Sequence, residues 1–170
     1  MCKVKQENPH VLVLCGPFVD GLNEDVKSGL ISYRNSTGQL EFLDFDDIFS
    51  KVMQYIHSEL SQQRFKTKVV IVPSAREIHH IKPMPQTAFA QSKFPAGMEP
   101  ILLGNPQLFR INDINIGVVN ADIVKDLCTQ THNKASGSKI DGSVKSILQQ
   151  RSFYPLYPGQ NTSPIEWEQY

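Results

Sequence analysis

Two apolar runs along the chain have the pattern of strands that are buried on both faces. The first run is His10–Cys15 and the second is Lys68–Val72, and neither alternates between apolar and polar positions. Continuous runs of this kind are typical of a mainly parallel sheet that is covered by helices. The first run stops at Gly16–Pro17 and the second at Pro73–Ser74, so both predicted strands end in loops that proline shapes.

A helix is predicted between these two strands. Asp46 is placed to cap its N-terminus, and Asp47 is placed in its first turn. Strand, helix and strand in this order favour a right-handed parallel connection, so the predicted fold class is α/β. The apolar residues that recur at helical spacing are Ile48, Phe49, Val52, Met53, Ile56 and Leu60.

The rest of the chain predicts a long loop, a hairpin and two short helices. Ser74–Pro100 has no sustained period and contains four prolines, which exclude helix and interior strand across most of it. A loop of this length is usually functional or an interaction surface. Leu108–Ile111 and Ile114–Val119 predict an antiparallel hairpin around Asn112–Asp113. Two short helices are predicted after the hairpin, at Ala121–Cys128 and Ser143–Arg151, and the polar loop Thr129–Gly142 separates them. Without a repeat or an internal boundary, residues 1–170 are predicted to form one domain.

Composition narrows the classes of function. The 170 residues carry 17 Lys and Arg against 17 Asp and Glu, so no net charge draws the chain to DNA over long range, and DNA contact is expected to be indirect or weak. The apolar runs are far shorter than the ~18–20 residues of a membrane span, and the first residues lack the order of a signal peptide, which predicts a soluble, intracellular protein without membrane contact. Cys2, Cys15 and Cys128 fit neither a disulfide framework nor a structural zinc site.

The loop Gly16–Asp20 has the length of the turn that holds two metal ions in metallophosphoesterases. Ligands of α/β proteins bind beyond the carboxyl ends of the strands, where this loop and Pro73–His80 are predicted to lie. The turn of those enzymes reads Gly-Asp-x-x-Asp, and its first aspartate bridges the two ions, but Pro17 stands at that position. Proline offers no ligand atom, so we expect neither a two-metal site nor another cofactor.

The loop after the second strand also departs from those enzymes. Gly-Asn-His-Asp/Glu is expected there, with the histidine as proton donor, whereas this chain has Pro73, Ser74, Ala75, Arg76 and Glu77. An arginine cannot serve as that acid. Arg76 and Glu77 are therefore expected to form structural ion pairs, with each other or with neighbours.

His79 and His80 follow in the same loop. Adjacent side chains on an extended chain point to opposite faces, so the two histidines are expected to have a structural or interface role rather than to bind one ion. An active metallophosphoesterase with an unusual ligand set is the alternative, and its candidate ligands are Asp20, Glu77, His79 and His80.

Residues 151–158 form a stretch in which three aromatic residues are set among two prolines. Stiff aromatic surface loses little entropy on docking, so this stretch is expected to pack across the domain or to bind a partner. A nucleic-acid-binding module is the second alternative, with Tyr154, Tyr157 and the basic stretch Lys134–Lys145 as its contacts. The candidate partner or structural residues are Arg151, Phe153, Tyr154, Pro155, Tyr157 and Pro158.

Five stretches, spread over nearly the whole chain in one order, resemble the family of DNA polymerase alpha B subunits. They are Leu14–Asp20, Asp46–Phe49, Val70–His80, Pro85–Gln86 and Gln150–Pro158. The resemblance implies a calcineurin-like metallophosphoesterase fold, part of an αββα sandwich, that has lost its metal centre and its catalysis. It also implies a scaffold role in the initiation of DNA replication in the nucleus. The implied partners are the C-terminal domain of the catalytic subunit and, through the complex, the primase subunits.

The resemblance covers the middle of the family's phosphoesterase domain. The regions that carry the Asp-x-His and Gly-His-x-His motifs, and the oligonucleotide-binding fold, have no counterpart in residues 1–170. We therefore expect a partial domain that lacks the terminal strands.

Overall fold

The computed structural model describes residues 2–29, 31–35, 37–62, 67–130 and 138–159. Both helices and strands occur within these ranges, with a parallel β–α–β crossover between β1 and β4, which confirms the α/β class. In chain order the elements are α1 (Cys2–Glu7), β1 (Val11–Cys15), α2 (Glu24–Ser28), β2 (Ile31–Arg34), β3 (Leu40–Leu43), α3 (Phe45–Ser61), β4 (Lys68–Val72), a short 3₁₀ helix (Gln91–Lys93), β5 (Ile101–Leu102), β6 (Gln107–Ile111), β7 (Ile114–Val118), α4 (Ile123–Gln130) and α5 (Lys139–Gln150). No helix in the described ranges is long and apolar enough to cross a membrane.

The largest sheet has three parallel strands in the order β1, β4, β5. β1 and β4 run side by side from Val11 opposite Lys68 to Cys15 opposite Val72. This register confirms the parallel pairing that the two apolar runs predict. It also places the loops that follow β1 and β4 next to each other, at the carboxyl end of the sheet.

The two strands differ in burial. β4 is buried from Val69 to Val72, as predicted, whereas Val13 of β1 is 36% exposed and Cys15 is exposed. The prediction that the first run is buried on both faces is wrong, because Val13 and Cys15 lie on the same face of β1 and that face is exposed.

α3 crosses from β3 to β4 and begins earlier than predicted. Its N-cap is Asp44, whose carboxylate accepts the N–H of Asp47 at 2.7 Å, while Asp47 accepts the N–H of Asp44 at 3.3 Å. The prediction that Asp46 caps this helix is wrong, because the capping box already satisfies the helix end. Asp46 instead accepts a hydrogen bond from Lys93 at 2.6 Å.

The crossover also contains an antiparallel hairpin, β2–β3, which the sequence pattern does not predict. Its turn is shaped by the side chain of Asn35, which accepts the N–H groups of Thr37 and Gln39, each at 3.0 Å. The strands are four residues long, too short to give a clear alternation, so only their polar turn is visible in the sequence.

The main core forms between α3 and the sheet, and the long loop completes it. The ring of Phe49 on α3 lies 5.1 Å from that of Phe89 and 5.6 Å from that of Phe94, both in the stretch Ser74–Pro100. That stretch has no α-helix, as predicted, but it is packed into the interior. The buried members of this core are Val19, Phe49, Met53, Ile56, Val69, Ile71, Phe89, Phe94 and Met98.

A second, smaller core lies at the C-terminal side of the described chain. Its buried members are Met84, Ile123, Leu127 and Tyr154. The predicted hairpin is confirmed as β6–β7, with Asn112 at a φ of 52° in its turn.

The boundaries of the last two helices differ from the prediction. α4 ends at Gln130, and α5 begins at Lys139 because Ser138 caps it by accepting the N–H of Ile140 at 3.3 Å. The predicted loop Thr129–Gly142 is therefore wrong at both ends, and its residues 131–137 lie outside the described residues.

Candidate functional site

The loops Gly16–Asp20 and Pro73–His80 lie side by side at the carboxyl ends of β1 and β4, and we call them together the strand-end site. Gly16 donates its N–H to the carbonyl of Val72 at 3.0 Å. Ile78 donates its N–H to the carbonyl of Val19 at 3.1 Å. Backbone hydrogen bonds therefore fix the two loops to each other.

Glu77 occupies the centre of the strand-end site. Its side chain is fully buried, at 0% exposure. Its Oε1 accepts the N–H of Val19 at 2.6 Å, and its two oxygens share the N–H of Phe18 at 3.1 and 2.9 Å. Burial raises the pKa of Glu77 and the nearby charge of Asp20 raises it further, while the hydrogen bonds from Phe18 and Val19 act in the opposite direction.

Gly16 is needed for this arrangement. A Cβ at position 16 would lie 2.6 Å from Oε2 of Glu77 and 3.3 Å from Cβ of Ser74. Any larger residue would therefore displace the carboxylate from the loop.

Asp20 and Arg76 form the outer part of the strand-end site. Nε of Arg76 donates to Oδ1 of Asp20 at 3.2 Å, and Nη2 donates to Oδ2. The N–H of Leu22 donates to the same Oδ1 at 3.0 Å. Partial burial tends to raise the pKa of Asp20, but the bonds from Leu22 and Arg76 outweigh it and hold the pKa below its ordinary value. Of the two residues expected to form ion pairs, Arg76 pairs with Asp20, and Glu77 is bound by backbone amides.

His79 belongs to the aromatic core. Its side chain is 5% exposed, and its ring lies 4.7 Å from the ring of Phe49 and stacks on Phe89 at 5.9 Å. Neither ring nitrogen has a hydrogen-bond partner among the described residues, and Nδ1 lies 3.7 Å from Oε1 of Glu77. Burial is the main cause that lowers the pKa of His79 to about 4, and the charge of Lys93 contributes in the same direction, so the imidazole is neutral at pH 7.

His80 also contacts Phe89, with the ring centroids 4.6 Å apart, and its Nε2 lies 2.7 Å from the carbonyl oxygen of Thr87. The expectation of an extended chain at His79 and His80 is wrong, because turns occupy both sides of Glu77. The two rings thus end up against one phenylalanine.

Three amide side chains that the sequence pattern does not single out as a site complete the arrangement. Nδ2 of Asn120 donates to the carbonyls of Gly16 at 2.9 Å and Pro73 at 3.0 Å. Asn105 is fully buried and accepts the N–H of Asn120 at 2.7 Å, while its Nδ2 donates to Oε1 of Gln86 at 2.8 Å. Single amides in loops have no characteristic spacing, so only the position of Gln86 beside Pro85 could have drawn attention to them.

These contacts leave little room and few free polar groups at the strand-end site. Ser74 is buried, its carbonyl accepts Nε2 of Gln86 at 3.1 Å, and its Oγ accepts the N–H of Arg76 at 3.2 Å. The cavity between Pro17, Ser74 and Asn120 has a volume of about 40 Å³, which is room for only a few water molecules. In the described part of the chain, no three His, Cys, Asp or Glu side chains are arranged to hold a metal ion. The residues present therefore do not fit the two-metal centre of a phosphoesterase, since Pro17 has no ligand atom and Glu77 faces amides.

The stretch 151–158 is divided between the core and the surface. Tyr154 is 2% exposed, and its hydroxyl donates to Oδ2 of Asp126 at 2.8 Å. Phe153 lies against β7, where a Cβ at Gly117 would be 3.1 Å from its ring. Tyr157 is 78% exposed.

The other candidate residues of this stretch lie between these extremes. Arg151 ends α5 in the left-handed conformation, with a φ of 51°, and is exposed. Pro155 is half-buried and Pro158 is exposed.

α5 carries an apolar face that points to solvent. Ile140, Val144 and Leu148 recur every four residues and so share one side of the helix. They are 58%, 41% and 71% exposed, and we call them the α5 stripe. The adjoining face of the helix, with Ser143 and Ile147, packs toward the second core.

Comparison with known proteins gives one consistent family. The family model for the B subunits of DNA polymerases alpha and epsilon matches residues 1–170. The chain is 28% identical to the B subunit of DNA polymerase alpha from Bos taurus over 98% of the chain and 26% of that protein. It is 30% identical to the B subunit of DNA polymerase alpha from Saccharomyces cerevisiae over 93% of the chain and 22% of that protein. The chain spans about a quarter of the length of these curated relatives.

Proposed function

This chain belongs to the family of DNA polymerase alpha/epsilon B subunits, and from that premise we propose that it is part of a non-catalytic scaffold subunit of the polymerase alpha–primase complex. In this role it acts in the nucleus during initiation of DNA replication. It binds the C-terminal domain of the catalytic subunit and helps to tether primase. Residues 1–170 form the middle portion of a calcineurin-like phosphoesterase domain without catalytic activity.

The observation that carries this proposal is that both candidate carboxylates of the strand-end site, Asp20 and Glu77, bind groups of this chain. Glu77 is bound by the amides of Phe18 and Val19, and Asp20 is bound by Arg76. A phosphoesterase needs carboxylates that face cations and a histidine that can donate a proton. Here the carboxylates face N–H donors, which argues against an active metallophosphoesterase with unusual ligands.

The absence of catalysis is tested with the purified chain and an aryl phosphate substrate in the presence of Mn²⁺ or Zn²⁺. We expect no turnover above that of an Asp20→Asn variant. Metal-dependent turnover that the Asp20→Asn substitution abolishes would overturn the proposal.

We assign the contact with the catalytic subunit to the α5 stripe and Tyr157. Leu148 and Tyr157 are 71% and 78% exposed, and solvent-facing apolar groups gain most when a protein partner covers them. The alternative of a nucleic-acid-binding module is weaker, because Tyr154 is buried and cannot stack on a base. Of its other predicted contacts, Tyr157 is exposed, and residues 134–137 of the stretch Lys134–Lys145 lie outside the described residues.

This contact is tested by pull-down with the C-terminal domain of the catalytic subunit. Leu148→Ala is expected to reduce the captured fraction at least threefold. Phe42→Ala on β3 is the matched control, because Phe42 is also 71% exposed but lies on a different element. Equal capture of both variants and the unaltered chain would exclude α5 as the contact.

A further inference from the structure

We propose that the strand-end site is an anion site rather than a remnant cation site, and that its built-in ligand is the carboxylate of Glu77. The binding element is the amide nest, which we define as the backbone N–H groups of Phe18 and Val19. The nest has the chemistry to hold a small carboxylate, such as formate or acetate, wherever the Glu77 side chain is shortened. The proposal rests on the proposed function only in treating the site as free of catalytic metal.

The first support is the hydrogen-bond geometry of the amide nest. Two successive N–H groups point at one carboxylate over distances of 2.6 to 3.1 Å. Successive amides that converge in a turn form a concave positive surface that binds anions. Hydrogen bonds to an ionised acceptor are shorter and stronger than those between neutral groups.

The second support is the absence, among the described neighbours, of a cation that could hold Glu77 instead. Arg76 is the nearest basic neighbour along the chain, and its guanidinium is engaged by both oxygens of Asp20. His79 lies 3.7 Å from Glu77, but burial lowers its pKa to about 4, so it brings no charge at pH 7. The amides of Phe18 and Val19 are thus the groups that stabilise the carboxylate.

The third support is steric. Gly16 leaves the space that Oε2 of Glu77 occupies, since a Cβ there would lie 2.6 Å from that oxygen. The same carboxylate joins the loop Gly16–Asp20 to the loop Pro73–His80, a connection that bridging metal ions provide in phosphoesterases. Asn120 makes the complementary connection by donating to the carbonyls of both loops.

The main experiment measures thermal unfolding of a Glu77→Ala variant of the whole chain. Sodium formate or acetate is compared with sodium chloride at equal ionic strength. We expect the midpoint to lie well below that of the unaltered chain and to rise by several degrees with formate, in a saturable manner. The unaltered chain should show no such difference between the salts, and Mn²⁺ should not stabilise the variant.

A matched cavity control separates anion binding from a general salt effect. Met53→Ala creates a cavity at a residue with 0% exposure that has apolar neighbours in the main core. Formate should not raise the midpoint of this control. Equal formate effects in both variants, no formate effect on Glu77→Ala, or stabilisation of that variant by Mn²⁺ would each overturn the anion site.

A measurement on the unaltered chain covers the case in which Glu77→Ala does not fold. In proton–nitrogen spectra, the amide protons of Phe18 and Val19 should resonate at low field and exchange slowly, and Glu77→Gln should shift both to higher field. Ordinary chemical shifts that the Glu77→Gln substitution leaves unchanged would refute the nest. Neither experiment depends on phosphatase turnover, so failure of the nest and failure of the proposed function give different results.

Discussion

The strand-end site and the C-terminal part of the chain use their side chains in opposite ways. At the strand-end site, Asp20, Glu77 and Asn120 all bind groups of this chain. On α5 and beyond it, Leu148 and Tyr157 expose apolar surface to solvent. Polar groups that bind one another have little capacity left for a substrate, whereas exposed apolar surface favours a partner. The contrast supports the proposal that the loops of the strand-end site hold the fold together and that α5 contacts a protein partner.

The largest effect is expected where the C-terminal stretch enters the second core. Tyr154→Ala should lower the free energy of unfolding by about 3–5 kcal/mol, the usual range for removal of a buried aromatic ring. Tyr154→Phe keeps the ring and removes the hydroxyl that donates to Asp126, so its loss should be smaller, about 1–2 kcal/mol. Urea denaturation measures both. A Tyr154→Ala variant as stable as the unaltered chain would remove the distinction between a core tyrosine and a surface tyrosine.

The next effect concerns pH and the buried His79. Its folded pKa of about 4 lies below the ordinary 6.5, so between these values the unfolded chain binds a proton that the folded chain does not. The contribution of His79 to the free energy of unfolding is therefore fully present above pH 6.5. It falls by roughly 2–3 kcal/mol as the pH falls toward 4. The raised pKa of Glu77 acts in the opposite direction.

His79→Phe isolates the histidine contribution, because it retains the aromatic packing. We expect the difference in stability between this variant and the unaltered chain to change between pH 7 and pH 4.5, in favour of the variant at the lower pH. A constant difference across this interval would show that His79 is not held neutral by the core.

Asn120→Ala should have a moderate effect, about 1–3 kcal/mol, because two carbonyls at the ends of β1 and β4 lose their donor. Asn115→Ala on β7 is the control, since Asn115 is exposed and should change stability by less than about 0.5 kcal/mol. Thermal unfolding of both variants makes the comparison. Equal losses would mean that the amide network does not hold the strand-end site together.

The smallest effect on stability is expected at Tyr157. Tyr157→Ala should alter the free energy of unfolding by about 0.5 kcal/mol or less, as is usual for exposed positions, yet weaken capture by the catalytic subunit's C-terminal domain. Unfolding and pull-down on the same preparation check both parts. Strong destabilisation would place Tyr157 with Tyr154 as a structural residue.

The elements with a sustained apolar period were predictable from the sequence. The second apolar run became β4, the helical spacing from Ile48 to Leu60 became α3, and the turn residues at Asn112–Asp113 gave the β6–β7 hairpin. The N-terminal boundary of α3 was mispredicted, because Asp44, Asp46 and Asp47 can each cap a helix and only the side-chain geometry decides between them. The burial of β1 was mispredicted, because the elements that cover the faces of a strand depend on the whole fold and not on the strand's own sequence.

The position of the candidate site was predictable from the sequence, but the hydrogen-bond partners of its side chains were not. The rule that ligands bind beyond the ends of parallel strands located both loops, and Pro17 could be recognised as a residue without a ligand atom. The amide nest around Glu77 was not predictable, because backbone N–H groups exist at almost every residue and leave no mark in the sequence. The partners of Asn105 and Asn120 are distant along the chain, so the network appears only in three dimensions.

Anomalous diffraction from crystals of the chain grown with Mn²⁺ tests most directly whether the strand-end site is closed by its own side chains. The expected map has no manganese peak above β1 and β4, and it has the Glu77 carboxylate within hydrogen-bond distance of the amides of Phe18 and Val19. Two manganese peaks bridged by Asp20 or Glu77 at that position would contradict it.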